Sequence, residues 1–289
     1  MSTIVSSQPW ASAHLIRRFA EKLTLTAEEV PVLSELLATA RPVRRRQDIV
    51  TEGRRNRTVF LVLDGLLIRY RITRDGHRQV INVVLPGDSV GSPSCFFEGA
   101  LYSVRTLTNA IIASVSLDTL TALLDVKPRI AAKLFWLFSC DAAVCAEHVV
   151  VVGRRSARER IVHFFLELLT RLQAIGLADE TSFHMPFSQD VICDALGLSL
   201  AYVNRELNVL AREGLVTITG HKVVLSDPNA LADLADFEYR YLQPSPTSEV
   251  FAPPKPRDAA WPVGPAVPAR GGATGRSRER AVRPAAVLS

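Results

Sequence analysis

Cysteine is scarce in this sequence: four in 289 residues, Cys95, Cys140, Cys145 and Cys193, with no CxxC pair among them. That excludes a secreted disulfide framework and predicts reduced thiols. No apolar run of membrane-spanning length is free of charge, and the opening MSTIVSSQPWASAHLIRRF lacks a signal-peptide apolar core. Together these predict a cytoplasmic protein without a membrane partner. The marks of catalysis are missing as well: no phosphate-cradling glycine loop, no HExxH, no paired Cys or His ligand set, no nucleophile motif with a partner. The expectation is a non-enzyme without a metal site or a resident cofactor.

What is present is enough for two cored domains and a tail. Hydrophobic residues make up 48% of the chain, which excludes general disorder. The formal net charge of +5 permits a polyanionic partner without requiring one.

The stretch Ser188 to Ser226 carries the most information. Val191, Ile192, Ala195 and Leu196 fall at helical spacing and stop at Gly197, a residue suited to a tight reversal. Ser199 can cap a second helix, along which Leu200, Val203, Leu207 and Leu210 form an apolar stripe. After Gly214 the period changes to strand (Leu215 to Thr219), a Gly220-His221 turn and a second strand (Lys222 to Leu225). Helix, turn, helix and hairpin in this order predict a winged helix-turn-helix, whose second helix presents an exposed face to the DNA major groove.

With Val203, Leu207 and Leu210 inward, the outward set is Leu200, Ala201, Asn204, Arg205 and Asn208. Arg205 is the candidate base reader, because its planar fork can bond guanine O6 and N7 together. Asn204 suits adenine or phosphate. Ser188, Gln189, Ser199 and Tyr202 lie at helix starts, where free amides and hydroxyls attract phosphate oxygens. The bland alternative is a helical hairpin for protein packing, with Arg205 paired to Glu206 or Glu213.

Upstream, two amphipathic helices are expected between residues 10 and 40. The first carries Trp10, His14, Ile16, Phe19 and Leu23, and the second runs Ala27 to Leu37 behind Thr26 as N-cap. From Val43 the texture is β. Thr58 to Ile72 reads as a hairpin with a type I′ turn at Asp64-Gly65, followed by turns at Asp75-Gly76 and Pro86-Gly87-Asp88 and strands at Tyr102 to Leu107 and Ile111 to Val115. Short strands at this spacing predict an antiparallel roll or jelly roll enclosing a pocket.

Lys127 to Gly153 then reads as one long helix with two apolar rows. Ala131, Phe135, Phe138, Ala142, Cys145, Val149 and Val152 form one, and Ile130, Leu134, Leu137, Val144 and Val151 the other. Two rows predict that the helix covers its own β domain with one and a second copy of itself with the other. The rival is a helix buried wholly within one chain. Asp141 and His148 would mark a polar seam or exposed edges. GRRSARER (Gly153 to Arg160) reads as a hinge whose arginines are solvated or touch phosphate. Ile161 to Ile175 and Asn229 to Leu242 are expected to be helical. The proline-rich stretch from Gln243 reads as a disordered tail. The expected divisions are therefore 10–126 (roll with its leading helices), 127–153 (dimerising helix), 154–242 (winged helix-turn-helix) and 243–289 (tail), an α+β chain overall.

Roll, long helix, hinge and winged helix-turn-helix in this order resemble the family of the cyclic AMP receptor protein and the fumarate and nitrate reduction regulator, the CRP/FNR family. DALGLSLAYVNRELNVLAREGLV carries the likeness, supported by LVLDGLL and LPGDSVG, over about residues 10 to 242. The resemblance implies a homodimeric transcription regulator with DNA and RNA polymerase as partners, and a sensory roll resembling a cyclic-nucleotide-binding domain.

It also locates the departures. Where cyclic-nucleotide-binding members carry Gly-Glu for the ribose and Arg-Ser for the phosphate, this chain has Gly91-Ser92 and Tyr102-Ser103. The adenine-facing Thr-Ser pair matches Cys145-Ala146. Ser92 supplies no carboxylate and Tyr102 no cation, so cyclic AMP is not expected as the ligand. The effector stays unidentified. No cysteine precedes Cys95, which argues against an iron-sulfur cluster. Haem is the remaining cofactor option, with His77, His148 or Cys95 as axial donors. In the recognition helix, Leu200-Ala201 replace the family's Arg-Glu, while Arg205 is retained. That replacement supports the alternative function, a small-molecule or haem sensing module whose C-terminal domain makes protein contacts instead of binding DNA.

Overall fold

The structure is a computed structural model and describes residues 25–242. The helix expected around Trp10 to Leu23 and the stretch from Gln243 onward lie outside the described residues.

The roll is built from two four-stranded antiparallel sheets. One has the order β1 (Arg41–Val43), β8 (Ala110–Ser116), β3 (Thr58–Asp64), β6 (Ser89–Val90). The other runs β2 (Asp48–Val50), β7 (Ser103–Thr106), β4 (Leu67–Ile72), β5 (Arg78–Val84). Their facing sides enclose Val62, Leu67, Val84, Val90, Val104 and Ile112. Alternation along β4 explains the layering: Leu67 points between the sheets, while Ile68 and Tyr70 face outward into a second core.

The expected hairpin at Asp64-Gly65 is not formed. β3 pairs with β8 and β6, whereas β4 pairs with β5 and β7, so the Asp-Gly pair turns a corner between sheets. Gly65 is needed there on two counts. Its φ is +87°, and a Cβ would come within 2.5 Å of the Asn109 carbonyl oxygen. The turn at Gly76 does close a hairpin, with β4 and β5 paired from Leu67–Val84 to Ile72–Arg78 and a register shift after Arg69.

Helix α1 (Val30–Leu37) starts later than the Thr26 cap predicts. Residues Thr26 to Glu29 form a turn in which the Glu29 carboxylate accepts from the Thr26 amide, and Pro31 occupies the first helical turn. An unforeseen helix, α2 (Leu117–Val126), is capped by the Ser116 hydroxyl and leads into the long helix α3 (Pro128–Arg154). Leu33, Leu36, Leu61, Ala113, Ile130, Leu134 and Leu137 join α1, the outer face of β3 and β8, and the first half of α3 in one core.

The two rows of α3 part only in places: Ala131 is buried, Phe138 packs on the same core and Cys145 lies against Arg69, all three from the first row. Ile130, Leu134, Leu137, Val144 and Val151 are buried within the chain, whereas Phe135 and Val149 are left 72% and 70% exposed. Asp141 and His148 fit neither expected setting. Asp141 turns inward to the roll, and His148 faces α4 (Ala157–Gln173) across a narrow gap lined by Asn82, Val83, His163 and Glu167. By length and composition α3 is apolar enough to cross a bilayer. Its polar residues are nonetheless bonded to the chain's own sheet and first helix, Asp141 to Arg69 and Lys133 to Glu29.

The C-terminal part comprises α4, β9 (Ser182–His184), α5 (Gln189–Leu196), α6 (Leu200–Arg212), β10 (Val216–Thr219), β11 (Lys222–Leu225) and α7 (Pro228–Ala235). A Ser156–Glu159 capping box opens α4. The hairpin β10–β11 is widened by β9, a third strand not read from the sequence. The closing helix ends at Ala235, and a 3₁₀ turn covers Tyr239–Leu242.

Candidate nucleic-acid interface

Helices α5 and α6 meet at Gly197, whose φ of +64° lets the chain reverse within three residues. Ser199 then caps α6, its hydroxyl accepting from the Tyr202 amide at 3.3 Å. Val203, Leu207 and Leu210 are buried against α4 and α5, together with Phe165, Ile192 and Leu196. This packing fixes which side of α6 faces out. Leu200, Ala201, Tyr202, Arg205 and Asn208 are exposed, and Asn204 is half-buried. Leu200 belongs to that open face and not to the buried stripe, since at 45% exposure it projects from the first turn.

At the start of α5 the Ser188 hydroxyl donates to Asp190 at 3.2 Å, beside half-buried Gln189. One polar expectation is corrected. The arginines after Gly153 are largely committed to the chain itself. Arg155 donates to the Ala235 carbonyl and pairs with Glu147 and Asp236, Arg158 pairs with Glu213, and Arg160 donates to the Arg155 and Leu196 carbonyls. Glu213 is therefore taken by Arg158. Arg205 has its Nε 3.6 Å from Glu206 and its guanidinium 4.2 Å from the centre of the Tyr202 ring.

The roll interior holds a polar group that the sequence reading missed. Arg69, on the inward side of β4 beside a bulge, is 3% exposed. Its Nη1 donates to Asp141 of α3 at 2.8 Å, and its guanidinium lies 4.8 Å from the Tyr102 ring centre. Asn82 donates to the other Asp141 oxygen at 3.2 Å, so strands β4 and β5 both grip one carboxylate of the long helix. Burial works against the guanidinium charge, but the Asp141 carboxylate outweighs it and holds Arg69 above its ordinary value. Burial raises the Tyr102 hydroxyl, with Arg69 opposing. Cys145, whose thiol burial also pushes up, sits 3.7 Å from Arg69.

Of the expected pocket residues, Tyr102 and Cys145 thus gather around Arg69, and Gly91 turns the adjoining chain at φ +89°. Ser103 does not join them: its hydroxyl accepts from the Glu52 amide at the sheet edge. Ser92 is buried at the start of a 3₁₀ turn, Pro93–Phe96. The Arg69 Nε, Asn82 Oδ1, Ser89 Oγ, Ser94 Oγ and Tyr102 Oη have no hydrogen-bond partner among the described residues. A charge inside the apolar run LLIRYRI, in step with inward Leu67, was the available signal.

The haem candidates occupy three unlike settings. His77 is exposed at the β4–β5 turn near Asp75, Cys95 is buried with its thiol donating to the Gly91 carbonyl, and His148 is on α3. Among the described residues no three His, Cys, Asp or Glu side chains are grouped to hold a metal.

A double-sheet roll joined by a long helix to a winged helix-turn-helix defines a class of DNA-binding regulators. The Cyclic nucleotide-binding domain model matches residues 40–127, and the Crp-like helix-turn-helix domain model matches residues 159–234. The transcriptional activator protein anr of Pseudomonas aeruginosa is 26% identical over 213 residues, 74% of this chain and 87% of that protein. The nitrogen fixation regulation protein FixK of Azorhizobium caulinodans is 27% identical over 199 residues, 68% of this chain and 79% of that protein. The solved structure of FixK2 from Bradyrhizobium japonicum matches with a TM-score of 0.60 at 26% identity, covering 68% of this chain and 96% of that one. The chain belongs to the CRP/FNR family of transcription regulators.

Proposed function

We propose that this regulator works as a cytoplasmic homodimer that lays α6 of each copy into the major groove of a two-fold DNA site, with RNA polymerase as a further partner by family. The divisions near residues 126, 153 and 242 then separate sensing, pairing and DNA reading. One observation carries the DNA-reading assignment: α6 is capped at Ser199, buried on Val203, Leu207 and Leu210, and open along Leu200, Ala201, Tyr202, Arg205 and Asn208. Arg205 reads a base, Leu200 meets a thymine methyl, and Ser188, Gln189, Ser199 and Asn204 position the backbone.

Pairing is supported by the stripe Phe135, Ser139, Ala142, Ala146, Val149 and Gly153, all exposed at alternating spacings of four and three along α3. That is heptad spacing, with small residues that allow two helices to approach closely. The roll is proposed not to take cyclic AMP. Ser92 offers the ribose no carboxylate, and Arg69, the buried cation between the sheets among the described residues, is already neutralised by Asp141.

Selection of bound fragments from random DNA tests this reading. A two-fold motif with half-sites ~34 Å apart is expected, and Arg205→Ala is expected to relax preference at one base pair per half-site. Salt-independent, sequence-blind retention would favour the alternative, in which the C-terminal domain contacts protein.

A further inference from the structure

We propose that Tyr202 is a positioning residue that sets the reading geometry of Arg205. The inference rests on the assignment of Arg205 as base reader. The two residues lie three apart on α6 and so share a face, and the Arg205 guanidinium carbon sits 4.2 Å from the centre of the Tyr202 ring. At that distance the planar cation lies on the ring face. Tyr202 stands in the first turn of α6, its backbone held by the amide that donates to the Ser199 cap, and is 37% exposed.

Glu206 completes the arrangement from the next position. Its carboxylate, largely covered, stands 3.6 Å from the Arg205 Nε, on the side of the guanidinium nearest the helix. Ring and carboxylate together hold one face and one edge of the fork. The two Nη groups have no bonded partner among the described residues, so the edge that must meet guanine O6 and N7 is left open. A free arginine on a helix surface samples many rotamers, and two simultaneous bonds to one base require a single one. The stack selects that rotamer before DNA arrives. Tyr202 thus contributes through its ring and needs no bond from its hydroxyl to DNA.

The test uses the full chain and its selected DNA site, with every base pair of one half-site varied in turn. Wild type, Tyr202→Phe, Tyr202→Leu, Arg205→Ala and the double variant Tyr202→Leu/Arg205→Ala are compared at two salt concentrations. Tyr202→Phe keeps the ring and is expected to match wild type at every base pair. Tyr202→Leu keeps apolar bulk without a π face and is expected to lower discrimination ~3- to 5-fold, only at the base pair that Arg205→Ala relaxes. In the Arg205→Ala background the same change is expected to add nothing.

A uniform affinity loss with a shallower salt slope in Tyr202→Phe overturns the proposal and makes the hydroxyl a phosphate contact. Equal effects of Tyr202→Leu with and without Arg205 also overturn it. If Arg205→Ala itself changes no base preference, the base-reading assignment fails, and the proposal falls with it.

Discussion

Arg78 on the roll's edge strand and Asp194 on α5 meet at 2.6 Å across 116 positions of sequence. Beside them Gln79 donates to the Ala195 carbonyl at 3.1 Å, and Ile68, Val80 and Val83 share a core with Val191, Ile192 and Leu196. A second tie links Arg171 of α4 to Asp88 in the turn before β6, at 2.7 Å. The DNA module is therefore seated on the outer face of the sheet whose inner face holds Arg69. The open side of α6 stays clear of this contact, so the seating leaves the proposed reading face free.

The seating can be loosened without touching the reading face. The Arg78–Asp194 pair is partly exposed, worth ~1 kcal/mol or less, so Arg78→Glu is expected to leave Tm nearly unchanged. Repulsion from Asp194 is expected to quicken tryptic cleavage in the connector at Arg154 and Arg155. Arg78→Glu with Asp194→Arg should return the cleavage rate toward wild type. A wild-type rate in the single variant would show that this pair does not hold the module.

The roll interior makes a larger energetic claim. Arg69→Met leaves the Asp141 carboxylate without its cation, and breaking such a pair from one side costs ~3 kcal/mol or more. Replacing both, Arg69→Met with Asp141→Leu, removes the orphaned charge and is expected to recover most of that loss. Denaturant unfolding measures both variants. If the single variant is as stable as wild type, Arg69 does not bind the long helix to the roll. Calorimetry on the wild-type chain should show no micromolar binding of cyclic AMP.

The two ends of the chain differed in how much could be read in advance. The C-terminal module was legible because its signals are local: Gly197 at positive φ, Ser199 as cap, and a stripe at helical period that leaves Arg205 and Asn208 outward. Asp64-Gly65 shows the limit. Its composition announced a type I′ turn, yet only Gly65 has φ above zero and Asp64 stays in β3; the partner of each strand is a long-range property, and β3 found β8 some fifty residues later. Asp141 was ambiguous for the same reason. A carboxylate among apolar residues has a side only once Arg69 and Asn82, from other elements, are brought to it. The third strand β9 was missed because three residues, Ser182–His184, are too few to show a period.

The open stripe of α3 predicts a pairing defect that can be measured apart from folding. Ala146 is exposed within the chain, so Ala146→Glu is expected to fold with an intact roll and an unchanged recognition helix. Placed at the centre of the proposed seam, two such carboxylates would face each other across a dry contact. Sedimentation is expected to show a dimer for wild type and a monomer for the variant, with affinity lost for the two-fold site far more than for a single half-site. A dimer of undiminished stability would move the pairing surface elsewhere on the chain.

The junction of α3, α4 and the closing turn predicts acid sensitivity. His163, 2% exposed, packs edge-on to Phe237 at 4.6 Å and lies beside Tyr241. Its Nε2 stands 3.3 Å from Glu147 without the alignment of a hydrogen bond. Burial drives the imidazole down to about 4; Glu167 pulls it up, while Arg155 and His148 push it lower. In the unfolded chain the ring titrates near 6.5. Between these values the unfolded state binds the proton and the folded state does not, so stability rises with pH across the window and is lost as pH falls from about 6.5 toward about 4. At pH 5 the loss from this one ring is ~2 kcal/mol. His148, pushed down by burial on the facing helix, adds in the same direction. His163→Phe removes the titration while keeping an aromatic ring against Phe237. Its stability should fall less than wild type between pH 7 and pH 5 in denaturant unfolding at constant ionic strength. Parallel pH profiles for the two proteins would mean that His163 takes up its proton without opening the junction.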